Sequence, residues 1–463
     1  MGNCTITLKP YDEQGTISKL EVTYCFDDLP RAAGEELCRF QVCTVSIPGC
    51  MPEELWARDD GGALELSRTE SKPYPYELVH VTSDRALQGQ VTVGYTVFPR
   101  VLGEDAKCGP YFDLRTEAGG ANSAGLSFLA GFDHYEGQIS LRWDMSQMPE
   151  GSTGVCTWGE GDVTYTGKLE KLNQCYFAFG RVQSITEGEF GFYWLAEPKF
   201  DIRAIASYTR DLFGKMQSFF HDEEPVYRIF VRKDPFPHSG GTALMRSYMF
   251  GWNDTEPVTV QDKQNILAHE MVHNWPSLND NPYGITSWYS EGTAEYYSVM
   301  LPLREGLIDR QTALREIQTR TDGYYTNPTR HLENMEAAKI CWQDRRAQRL
   351  PYGRGIFFLA NTDVQIRQAT GGEKSLDDVV MAILEKDRTG VNLGNQVFLD
   401  TVRELSGVDV TAEWETMRTG GHFAPMEDCF DGHFRVAEKT VPEADTGKPV
   451  TSYAWSLREE DDR

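Results

Sequence analysis

The sequence predicts a multidomain α+β fold: an N-terminal antiparallel β-sandwich, then a mixed α/β segment, then a mainly helical C-terminal part. Three observations carry this. Up to about residue 200, apolar and polar residues alternate in short runs separated by Gly, Pro and Asp; near Asp201 the alternation gives way to helical spacing; and 463 residues exceed what one hydrophobic core usually organises. The expected domains are residues 1–200, 201–325 and 326–463.

In the first domain the strand signal is period-two alternation rich in β-branched and aromatic residues, as in Thr5–Leu8, Leu20–Tyr24, Gln90–Tyr95 and Ile139–Trp143. Asp201 then stands as N-cap before apolar residues at helical spacing. Two further strand-like runs come next, Val226–Val231 and Leu244–Phe250, and helical patterns dominate from there almost to residue 420. The last thirty residues carry little signal, and the ending REEDDR reads as a solvated tail.

Composition narrows the function classes. Lys and Arg number 45 against 70 Asp and Glu, a formal charge of −25, which repels phosphate backbones and anionic lipid surfaces; neither nucleic acid nor a membrane is an expected partner. No run of 18 apolar residues occurs, and no basic stretch followed by an apolar one opens the chain, so a cytoplasmic location is expected. Ten cysteines, five of them within the first fifty residues, include no CxxC pair. That argues against a zinc ribbon and for reduced, mostly buried thiols.

The chemistry concentrates in one place. Gln261–Trp275, QDKQNILAHEMVHNW, has no internal Gly or Pro and reads as a helix, on which His269 and His273 share a face and can grip one Zn²⁺, with Glu270 beside it. A hydrolytic zinc site needs a third protein ligand and an open fourth position. The metzincin pattern of a further histidine preceded by Gly is excluded, because those positions are Asn279 and Pro276. A second helical stretch, SWYSEGTAEYYSVM, instead offers Glu291 and Glu295 on one face. Glu291 is read as the ligand and Glu295, one turn later, as the acceptor that orients a ligand histidine; the reverse assignment is the alternative.

The HExxH followed by Asn-Trp, the WYSEGTAEYY segment and the downstream PYGRGIFFLANTDVQIRQATGGEKSLDD resemble the gluzincin peptidases related to the glycyl aminopeptidases, over roughly residues 80 to 420. The resemblance implies a β-sandwich, a thermolysin-like zinc catalytic domain and a helical C-terminal domain. It places the family's oxyanion-binding tyrosine at Tyr352, in a Tyr-Gly-Arg-Gly run where Lys is usual in the Arg position. It also places the substrate-binding edge strand at Gly240, Gly241, Thr242 and Ala243. Three departures stand out. Seventeen residues separate His273 from Glu291, one fewer than usual; the stretch Gly240–Ser247 lacks the glutamate that would bind a substrate amine; and about 45 residues after the last helical pattern are too few for the PDZ domain that relatives often carry.

The reading is a metallopeptidase that uses one Zn²⁺ and a Glu270 general base on a peptide substrate, in the manner of an aminopeptidase. The rival expectations are an endopeptidase, a non-peptidase zinc hydrolase of the same fold acting on an ester or epoxide, and a protein-binding module with an inactive zinc site.

Overall fold

A computed structural model of the chain describes residues 2–44, 47–102, 109–236, 240–256 and 258–459; the last four residues of the acidic tail lie outside them. They gather into two compact units, Met1–Ser207 with Glu224–Asp262, and Tyr208–Glu223 with Lys263–Arg463.

The first unit is built of sheets. Gly2–Glu13 and Thr16–Phe26 form a hairpin whose turn residues Gln14 and Gly15 both have positive φ, as the twist of a two-residue hairpin requires. Along Gly2–Glu13 the side chains of Cys4, Ile6 and Leu8 are buried while those of Thr5 and Thr7 are half-exposed, the alternation seen in the sequence. The strand is longer than the four residues that first suggest it. Its far edge pairs in parallel with Glu136–Trp143, so this sheet of seven strands contains one parallel pair among antiparallel ones. A four-stranded and a five-stranded sheet complete the β-rich part, and Ile6, Val22, Phe26, Phe40, Val93 and Phe177 belong to its core. Cys4, Cys38, Cys50, Cys156, Cys175 and Cys429 are buried, and burial pushes the thiol of Cys156 up to about 11 and that of Cys50 to about 12, which makes them inert packing residues at neutral pH.

A second five-stranded sheet in the same unit has the order 183–187, 190–194, 227–233, 247–252, 241–244. Its central strands Phe190–Trp194, Tyr227–Lys233 and Ser247–Trp252 run parallel, and the first and last are buried along their whole length, as a two-sided core demands. Gly241–Leu244 is its edge strand. The strand-like run Leu244–Phe250 is thus two strands, broken by the turn at Met245 and Arg246, where Arg246 has φ of 54°.

Ten helices occur among the described residues: α1 Ile202–Phe219, α2 Val260–Val272, α3 Ser287–Arg304, α4 Arg310–Tyr325, α5 Asn334–Ile340, α6 Arg345–Gln348, α7 Leu350–Ala369, α8 Leu376–Arg388, α9 Asn395–Ser406 and α10 Thr411–Arg418. None is long and apolar enough to cross a membrane. In the second unit α3 and α7 cross at glycine: a Cβ on Gly355 would lie 2.0 Å from the Trp288 carbonyl oxygen, and one on Gly292 would lie 2.5 Å from the Gly355 Cα. No other residue permits this approach. The chain then departs from the helical expectation. Phe434–Pro442 and Pro449–Leu457 form an antiparallel hairpin that docks on α4, where Trp455 donates from Nε1 to Thr321 Oγ1 at 2.8 Å and from its backbone to Gln318 Oε1 at 3.0 Å.

Candidate metal centre

Helix α2 is well formed up to Val272 and ends there, three residues short of the Gln261–Trp275 span that the sequence suggests. The next residues account for the early end. Asn274 and Trp275 donate to the carbonyls of Met271 and Val272, tightening the last turn ahead of Pro276. Trp275 anchors this turn: its indole N–H donates to Asp222 at 2.6 Å and its ring stacks on Phe220 with centroids 4.7 Å apart. His273 therefore sits just past the helix proper and still faces His269, with their Nε2 atoms 3.2 Å apart.

Helix α3 brings the carboxylates. Glu291 Oε2 lies 3.3 Å from His269 Nε2 and 3.5 Å from His273 Nε2. Three donors bound tetrahedrally to zinc at about 2.0–2.1 Å lie about 3.3 Å from one another, so this triangle has the size a zinc ion needs. Glu291 Oε2 is buried and accepts no well-aligned hydrogen bond from the described residues, which is the state of an atom that serves a cation. Among the described residues these three form the one group suited to hold a metal. The residues present fit zinc.

The surroundings orient the donors. Glu295, one turn along α3, places Oε1 3.2 Å from His269 Nδ1, which leaves Nε2 directed to the Glu291 oxygen. The other oxygen of Glu295 pairs with Arg320 of α4, which also reaches Glu316 at 2.8 Å and Ser298 Oγ at 3.3 Å. Burial would raise the Glu295 carboxyl, but the neighbouring Arg320 guanidinium and the hydrogen bond from His269 overcome it and hold the group down at about 2. Glu291 is likewise held below the usual carboxylate range: burial opposes this, and the two histidines prevail.

Glu270 is 7% exposed and comes directly after His269 on α2. Tyr352, in the first turn of α7, lays its ring parallel to that of His269, with an interplanar angle of 7° and centroids 5.6 Å apart; Arg349 stands 4.9 Å from the Tyr352 ring centre. Arg354, the arginine of the Tyr-Gly-Arg-Gly run, is fully buried and donates to Asn334 Oδ1 at 2.6 Å and to the Arg330 carbonyl at 2.7 Å, a structural role.

Thus His269, Glu270, His273, Glu291, Glu295 and Tyr352 all fall in the second unit. Gly240, Gly241, Thr242 and Ala243 belong to the first, at and beside the edge strand. There the Gly240 N–H donates to the Tyr111 hydroxyl at 3.2 Å and the Thr242 carbonyl accepts from the Tyr176 hydroxyl at 3.1 Å. Sequence reasoning missed Arg320 and Arg349. Neither shares a helix face with the HExxH, so no spacing signal could have found them.

Comparison with known proteins points the same way. Residues 262–350 match the family model of the M61 glycyl aminopeptidases. That match, over the segment that carries His269, His273 and Glu291, supports a relationship to the gluzincin peptidases. No curated protein sequence matches it. Among solved structures it is similar to an aminopeptidase N family protein from Idiomarina loihiensis, with a TM-score of 0.73 at 13% identity over 96% of this chain and 81% of that one. It is also similar to an M1 zinc metallopeptidase variant from Deinococcus radiodurans bound to a Tyr-Ser-Ala substrate (TM-score 0.55, 16% identity, 92% and 94% covered) and to yeast LTA4 hydrolase (0.57, 14%, 92% and 69%). At such identities the likeness is one of fold. The multidomain α+β architecture expected from the sequence is the architecture these proteins share.

Proposed function

We propose that the chain is a zinc-dependent metallopeptidase that hydrolyses peptide bonds in the manner of an aminopeptidase. The observation that carries this is the His269–His273–Glu291 triangle, sized for zinc and built around a buried carboxylate oxygen with no well-aligned protein donor. The M61 match over the same segment agrees with it.

Zinc, when bound there, supplies a Lewis acid that makes water easier to deprotonate and a carbonyl easier to attack. Glu270 takes the proton of the attacking water as its oxygen adds to the peptide carbonyl, and gives that proton to the amine nitrogen as the C–N bond breaks. Glu295 fixes the tautomer and orientation of His269. The Tyr352 hydroxyl donates a hydrogen bond to the oxygen that becomes negative in the tetrahedral state. Gly240–Ala243 are assigned to an extended substrate backbone, which an edge strand can accept by β-augmentation.

The test compares wild type with Glu270→Gln on matched free and N-acetylated peptides. Glu270→Gln keeps its zinc and loses activity by a factor of about 10²–10⁴, the range for a general base. Free peptides are cut and acetylated ones are not. A second reading, endopeptidase action, is favoured by one observation: Gly240–Ser247 contains no carboxylate to meet a free amine. Equal cleavage of both peptide sets selects it.

A further inference from the structure

The ligand triangle rests on a line of side chains that leaves the site. Glu295 meets His269 Nδ1 with one oxygen and Arg320 with the other, and Arg320 continues to Glu316 and Ser298. Glu295 and Arg320 are both nearly buried, with side chains 10% and 8% exposed, so neither charge is relieved by water and each depends on the other. We propose that Arg320 is a positioning residue for the metal: it fixes the Glu295 carboxylate, which in turn sets the ring orientation of His269 and thereby the affinity of the site for zinc. This rests on the reading of His269, His273 and Glu291 as the zinc ligands.

Two features of the structure argue for this over simple helix packing. Arg320 meets Glu295 through Nε while its two terminal nitrogens are taken by Glu316 and Ser298, so the guanidinium plane is fixed from three sides against the carboxylate, which a lone ammonium or an apolar side chain cannot reproduce. And α4 is itself held in place on either side of Arg320. Gln318 accepts from the Trp455 backbone and donates to the Tyr453 carbonyl at 3.1 Å, while Thr321 accepts from the Trp455 indole. The C-terminal hairpin thus braces the helix two residues before the arginine and one residue after it. An arginine that only filled space would need no such support and no second carboxylate.

Chelator competition on the full chain measures the zinc dissociation constant independently of peptide cleavage. Arg320→Met is expected to weaken zinc binding about 10- to 100-fold, the range seen when an outer partner of a metal-bound histidine is lost. Arg315→Met, which changes an exposed α4 arginine whose guanidinium donates to Thr312, retains wild-type affinity. Glu295→Gln matches Arg320→Met, and the double variant is no weaker than either, because the two act through one carboxylate. With zinc saturating, kcat of Arg320→Met recovers most of its value and KM for peptide is unchanged. If Arg320→Met does not fold, Arg320→Lys decides: it keeps the charge and loses the planar group that reaches Glu295, Glu316 and Ser298 together, and binding a few-fold weaker is expected. Wild-type zinc affinity in either foldable variant, with Glu295→Gln weakened, overturns the proposal. If zinc affinity falls as stated while even the wild type cleaves no peptide, this inference stands and the peptidase reading fails.

Discussion

Glu291 Oε2 is buried among two imidazoles and takes no well-aligned hydrogen bond from the described residues. Burial alone would lower the affinity of His269 for a proton. The Glu291 and Glu295 carboxylates beside its two ring nitrogens prevail and lift it from the ordinary 6.5 to about 10. A folded-state value above the unfolded one contributes stability that is fully present below about 6.5 and is lost as pH rises through about 10. The melting temperature of the zinc-stripped protein is therefore expected to fall between pH 7 and 10, and to fall less in Glu295→Gln; a thermal scan across that range with equal slopes for the two proteins would contradict this. The residues of this cluster were legible because four share two short helix faces: His269 and His273 at a spacing of four, then Glu291 and Glu295 at the same spacing. Tyr352 was reached only through family resemblance, and Arg320 not at all. A buried ion pair between helices leaves no periodic trace in either one.

At the scale of elements, the site exists because α3 and α7 touch at Gly292 and Gly355. Glu291 is next to the first glycine and Tyr352 is one turn before the second, so the crossing point sets how the two approach each other. Gly355→Ala puts a methyl group against the Trp288 carbonyl and the Gly292 backbone, none of which is the flexible end of a side chain. The expected cost is about 1–3 kcal/mol or more of stability, read by denaturant unfolding, together with weakened zinc binding. Unchanged unfolding would show that the helices tolerate wider separation. The periodicity of 3.6 revealed the helices of this unit, yet not the end of α2 at Val272, which is fixed by tertiary anchors on Trp275 that no local pattern announces. The hairpin Phe434–Leu457 was invisible for a different reason. Its first strand exposes most of its residues and buries only Phe434, so the alternation that marks a half-buried strand is nearly absent.

For the molecule as a whole, the β-rich part was readable because alternation is repeated across many strands and each repeat strengthens the others. The central parallel strands of the second five-stranded sheet carry no alternation, being buried on both faces; their nature shows only in short apolar runs. The acidic balance of the chain disfavours a phosphate-binding role and leaves the zinc triangle as the feature around which function is organised. The measurement that tests this most directly is the rate of hydrolysis of an unblocked tripeptide by chelator-stripped protein as zinc is returned to it. The rate is expected to start near zero, rise in proportion to added zinc and level off at one zinc per chain. Full activity in the stripped protein, or no activity at any zinc level in a folded protein that binds the metal, would contradict a zinc-dependent peptidase.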